Sequence, residues 1–82
     1  MRNPKLVLVR WVDSYSNDRW HFINEAKEWG AGTFEVKTVG WLIDESDKHI
    51  LLAGGYSNNK SVNNLSHIPK VNIIKKIEIE WK

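Results

Sequence analysis

Apolar and polar positions along the chain fall into short strand-like runs, with one helix-like interruption. Residues 5–12 (KLVLVRWV) are β-branched, aromatic and almost wholly apolar, the mark of a central strand. The polar run at 13–18 (DSYSND) reads as a turn whose side chains bond their own backbone. Residues 24–29 (NEAKEW) predict a turn and a half of helix, with Asn24 as N-cap, Glu25 at the positive end and Gly30 closing the last turn. A second, long strand is predicted over 33–44. Its apolar positions change parity, Phe34 and Val36 being even and Val39, Trp41 and Ile43 odd, which predicts a β-bulge near residues 38–40.

Residues 45–48 then form a hairpin turn into a third strand at 49–53 (HILLA). The glycine- and asparagine-rich stretch 54–64 reads as the most mobile segment. Residues 65–68 predict a fourth strand ended by Pro69, and Ile73 and Ile74 fit one 3₁₀ turn. The tail alternates cleanly, which predicts Ile77, Ile79 and Trp81 facing inward and Lys76, Glu78 and Glu80 facing water. The expectation is a single domain over residues 1–82. It is mainly β: a small five-stranded SH3-like or Sm-like antiparallel barrel with one short helix inserted after strand 1. The alternative is an open antiparallel sheet packed on that helix.

An 82-residue chain buries only about 60–65% of its unfolded surface. Its five tryptophans are therefore mostly core candidates, with Trp41, among Val39, Leu42 and Ile43, the safest. There is no cysteine, and neither a signal-peptide pattern nor a membrane-spanning apolar run is visible, so a cytoplasmic location is expected. The net charge of +2 comes from scattered cations without a basic stripe, which makes nucleic acid possible but not favoured as a partner.

Catalytic chemistry finds little support. Asp13, Ser14, Ser16 and His21 can be drawn as a hydrolytic triad, but proximity in sequence is poor evidence for one, and a turn explains them. His21, His49 and His67 lie on different elements without ligand spacing, so no metal is expected. Asp44, Glu45 and Asp47 share a turn and read as solvated. Gly54-Gly55 lacks the Lys-Ser/Thr and helix of a phosphate loop. The chain is expected not to be an enzyme, and to need no cofactor.

Binding residues concentrate in 11–20 (WVDSYSNDRW). Here Tyr15 and Trp20 suit stacking, Ser14 and Ser16 suit phosphate oxygens, Arg19 suits a bidentate anion contact, and Asp13 adds a carboxylate. A second candidate loop holds Tyr56, Asn58, Asn59 and Lys60.

The pattern Trp11-x-Asp13-Ser14-x-Ser16 with Trp20, then Val39-Gly40-Trp41-Leu42, then Ile68-Pro69 followed by Ile74 and Ile77, resembles short proteins of tailed bacteriophages. Some proteins of that kind inhibit bacterial immunity. The resemblance therefore implies a non-catalytic binding protein that counters host antiviral defence, first of all by sequestering a small nucleotide-derived immune signal. The alternatives are a protein-binding inhibitor of a host defence enzyme or nuclease, and a nucleic-acid-binding small barrel. So small a chain offers little concavity, so a ligand pocket is expected between subunits of a homo-oligomer.

Overall fold

The computed structural model describes residues 3–14 and 18–81. The elements in order are β1 (Lys5–Asp13), α1 (Ile23–Gly30), β2 (Phe34–Glu45), β3 (His49–Tyr56), β4 (Val62–Pro69), a 3₁₀ turn at Lys70–Asn72, and β5 (Ile73–Ile79). The five strands form one antiparallel sheet in the order β4-β3-β2-β1-β5. Mainly β with one short helix is thus the observed class. The sheet is not closed, because β4 and β5 stand at opposite edges.

The expected mobile stretch is largely regular. β3 and β4 run through it and leave a tight turn between Tyr56 and Val62, where the amide of Lys60 donates to the Ser57 carbonyl at 3.1 Å. The 3₁₀ turn precedes Ile73 and Ile74, which open β5 instead.

One face of the sheet carries the core. Val7, Val9, Ile50, Leu52 and Ile68 are at most 2% exposed, and Trp11, Leu42 and Ile73 pack against them. A flat sheet with an uncovered face does not seal residues so completely, so the sheet coils over this side. Trp11 is fixed there by donating from Nε1 to Thr38 Oγ1 at 3.0 Å.

The opposite face is apolar as well. Register sets Leu65 opposite Ala53, Ala53 opposite Trp41, Trp41 opposite Leu6, and Leu6 opposite Ile79, a row crossing all five strands. Trp41 belongs to this outer row. It is half-buried rather than central, with its ring 5.7 Å from Tyr56 and 5.0 Å from Trp81 between centroids. Ile77 and Ile79 pair with Leu8 and Leu6, so they lie on the outer face, while Glu78 and Lys76 oppose the core residues Val7 and Val9. The inward assignment of Ile77, Ile79 and Trp81 is therefore reversed. The bulge is also displaced, falling between Leu42 and Asp44. The parity change in β2 arises because Val39 and Trp41 cover the outer face, which is apolar too.

Glu45 ties the curl together. Lys70 of the 3₁₀ turn reaches Glu45 Oε2 at 2.8 Å and Lys76 of β5 reaches Oε1 at 2.9 Å, so the end of β2 is held to the β5 edge. Glu45 is thus a bridge and not the solvated turn residue its sequence context predicts. The hydrogen bonds from Lys70, then from Lys76, hold its carboxyl well below the usual 4.5, at about 2. A depressed carboxylate pKa stabilises the fold fully above pH ~4.5, and that stability is lost as pH falls toward 2. The carboxylate is 35% exposed, so screening reduces the benefit. Glu45→Gln is expected to cost about 1 kcal/mol at pH 7, with the gap to wild type closing between pH 5 and 2 in urea denaturation. A gap that persists at pH 2 assigns the loss to packing.

The helix follows β1, where the sequence places it. α1 buries no residue, so it is not packed on the sheet. Its N-cap is Phe22, without a side-chain cap bond, and not Asn24. The β1–β2 ladder runs unbroken from Lys5↔Leu42 to Asp13↔Phe34 and carries residues 18–33 beyond the core as an arm. Hence the extents of 55 × 23 × 21 Å and a radius of gyration of 16.5 Å, against about 12 Å for a compact chain of this length. Among the described residues no helix is long and apolar enough to cross a membrane.

Candidate functional site

The two candidate loops lie at opposite ends of the β1–β2 ladder. At the arm end, Asp13 closes β1 and its Oδ1 accepts from the Ser14 amide at 2.9 Å, a local turn contact. Tyr15 and Ser16 lie outside the described residues. Arg19 and Trp20 are exposed, Trp20 completely so, and Trp20 shares a shallow hollow with His21, Phe22 and Glu25. The structure thus places Trp20 with its neighbours on the arm, and Asp13 and Ser14 at the strand end.

The other end converges further. Tyr56 Oη donates to Asn3 Oδ1 at 3.0 Å, and Lys60 Nζ donates to Tyr56 Oη at 2.9 Å and to Asn3 Oδ1 at 3.2 Å. Lys60 Nζ also sits 5.5 Å from the Tyr56 ring centroid. Tyr56 packs on Trp41, and Trp41 meets Trp81 edge to face. Because β1 pairs with β5, residues 3–6 and 78–81 lie side by side and enclose an open groove of about 630 Å³, with Trp81 in one wall and Asn3 in the other. Glu78 is balanced by Lys5 at 3.6 Å, leaving Glu80 as a second acid of the groove. Asn59 serves the turn, its Oδ1 accepting from Ser57 Oγ, from the Ser61 amide at 3.2 Å and from Ser61 Oγ at 2.7 Å. Asn58 is exposed at the tip.

Lys60 has a positive φ of 70°. With the Lys60 amide bonded to Ser57 O and the Ser57 amide donating to Ser61 O at 2.9 Å, this is the left-handed position at the end of a short hairpin loop, where glycine is favoured. A side chain there costs roughly 1 kcal/mol in backbone strain. Among the described residues no carboxylate forms an ion pair with it. Among the described residues the ammonium is held by a phenol, a carboxamide and a ring face.

A third arrangement resembles a triad. His49 Nδ1 lies 3.1 Å from Ser46 Oγ and its Nε2 lies 3.7 Å from Asp44 Oδ2, while its ring stacks on His67 with 4.5 Å between centroids. Ser46 Oγ, however, already accepts from the amides of Lys48 and His49 at 3.1 and 3.2 Å. That pins the hydroxyl inside the β2–β3 turn, with its acceptor lone pairs taken by the two amides rather than free for attack. Among the described residues no group of three or more His, Cys, Asp or Glu side chains is placed to hold a metal. Compared with known protein families, curated proteins and solved structures, the chain matches none.

Asn3, Trp41 and Trp81 are absent from the binding residues drawn from sequence. The signal for Trp81 was its place at the end of an alternating strand. Asn3 carried none.

Proposed function

We infer that the chain is a non-catalytic binding protein for a small anionic ligand with a planar ring, of the nucleotide class, held at the groove between Asn3 and Trp81, beside Tyr56 and Lys60. The observation that carries this reading is Lys60, a cation without an acidic partner among the described residues, kept in a strained backbone conformation at the rim of an aromatic groove. Strain of that kind is retained where a side chain has work that glycine cannot do. Lys60 offers the anion a point charge with a donor to spare, and Trp81 offers a ring face for stacking. Glu80 supplies an acceptor for ribose hydroxyls. The curled sheet then serves as an incompletely closed small barrel, and the biological role we propose is sequestration of a nucleotide-derived signal without turnover.

Thermal melts against ADP-ribose and cyclic dinucleotides, with adenosine and inorganic phosphate as controls, test this. A binder at about 100 times its dissociation constant adds roughly 2.7 kcal/mol of stability. Lys60→Gly is expected to leave the unliganded melting point unchanged or raised, since it relieves the strain. The same change weakens nucleotide binding tenfold to a hundredfold. If no nucleotide shifts the melt, or Lys60→Gly binds as wild type does, the reading fails.

A further inference from the structure

We propose that the outer face of the sheet carries a second anion site, a row of three cations that takes the backbone of single-stranded nucleic acid. Register sets Lys37 of β2 directly opposite Arg10 of β1, and Arg10 directly opposite Lys75 of β5. Residues opposite one another point to the same side of a sheet, and this side is the one that bears Leu6 and Leu8. The three charges therefore cross the strands in a line about 10 Å long, at the ~4.8 Å strand spacing. They are far apart in sequence, so only the strand pairing makes a basic stripe of them.

The row is short of anions. Lys37 and Lys75 are exposed and enter no ion pair among the described residues. Residues 1, 2, 15–17 and 82 add no acidic side chain. Arg10 reaches Glu35 Oε1 through Nη2 at 2.6 Å, while its Nε is sealed from solvent with no hydrogen-bond partner among the described residues. Like charges directly opposite each other destabilise a sheet, and Arg10 has one on either side. Lysines on strand edges also discourage edge-to-edge pairing, but that role leaves the guanidinium between them unexplained. A phosphate bridging the row relieves the repulsion and takes up charge-assisted donors that the protein itself does not use.

The surroundings favour a single strand. Val39 and Ile77 flank Leu8 in the next row of the same face, 52% and 41% exposed, and Trp41 follows two residues beyond Val39. A duplex keeps its bases stacked inside and would leave that apolar row in water. A single strand sets phosphates on the cations and lays its bases over the apolar row toward Trp41. Three cations fall short of the roughly four to eight that draw a chain to an anionic membrane surface.

Fluorescence anisotropy tests the site, with the full chain titrated into a labelled oligo-dT strand of about 20 nucleotides between about 20 and 200 mM salt. Saturable binding is expected, with log K falling against log[salt] at a slope near −2, about 0.7 for each phosphate neutralised on a single strand. Lys37→Ala or Lys75→Ala makes the slope shallower by about 0.7 and weakens binding roughly threefold to tenfold at the lowest salt, with the melting point unchanged or raised. Glu35→Gln tightens binding, a gain that a merely structural ion pair does not produce. No binding at about 20 mM salt overturns the proposal, as does wild-type affinity in a Lys37→Ala/Lys75→Ala variant. Tighter binding of a duplex of the same length overturns it too, and so does binding to phosphatidylglycerol vesicles without binding to the strand. Arg10 lies four residues along β1 from Leu6 in the groove, so Lys60→Gly leaves strand binding intact and the two lysine changes leave the nucleotide melts intact. The two proposals therefore fail separately.

Discussion

Leu52→Ala is expected to leave the chain largely unfolded at 37 °C. Leu52 is 1% exposed and sits among Val7, Val9, Ile50 and Ile68, the only fully sealed side chains in the described core apart from Ala53. Truncating a buried leucine costs about 2–5 kcal/mol, the upper end applying where neighbours cannot collapse into the gap. Residues held in register on a stiff sheet cannot. A chain of 82 residues holds only about 4–12 kcal/mol in total, and with its arm outside the core this one belongs near the lower end. Trp41→Ala, though it removes more atoms, is expected to cost less, about 2 kcal/mol, because the indole is half-buried on the outer face and leaves no sealed cavity. Urea denaturation followed by circular dichroism ranks the two. A larger loss for Trp41→Ala would mean that the outer row is the true core.

The number of strands and the single helix were legible in the sequence. Runs of β-branched residues and clean alternation, as at residues 5–12 and 76–81, suit a pleated strand and little else. Which face is inside was not legible. Alternation states that Ile77 and Ile79 share a face, and nothing more. In this chain the Leu65–Ala53–Trp41–Leu6–Ile79 row makes the second face apolar as well, so parity alone selects neither. The same two-faced chemistry made the parity change in β2 look like a slip. The helix was legible in place but not in packing, because Phe22 and Ile23 look like core residues to any pattern that presumes each apolar stripe is covered by its own chain. At the site, composition singled out Lys60 and Tyr56. It gave no sign of Asn3, which reaches them across β2 through the β1–β2 and β2–β3 registers, or of Trp81, which the β1–β5 pairing sets beside residues 3–6. The backbone strain at Lys60 becomes visible only once the hairpin register is known.

Two glycines are expected to respond to alanine with opposite signs. Gly40 is buried in the centre of β2, opposite Val7, and an added Cβ there would lie 2.9 Å from the carbonyl oxygen of Ala53 and 3.2 Å from Leu52 Cβ. The oxygen is backbone in the neighbouring strand and cannot rotate away, so β2 and β3 must separate where their ladder passes over the core. Overpacking of this kind costs about 1–3 kcal/mol, and Gly40→Val costs more. Gly30 ends α1, where sequence logic puts a left-handed cap, yet no described glycine has positive φ and nothing stands within 4 Å of the position of its Cβ. Alanine fits there without strain and restricts the unfolded chain, so Gly30→Ala is expected to stabilise by about 0.5–1 kcal/mol. Chemical denaturation of the two variants beside wild type reads both signs at once. A neutral Gly40→Ala would show that the β2–β3 contact yields, and a destabilising Gly30→Ala would show that the glycine takes up a left-handed conformation in solution.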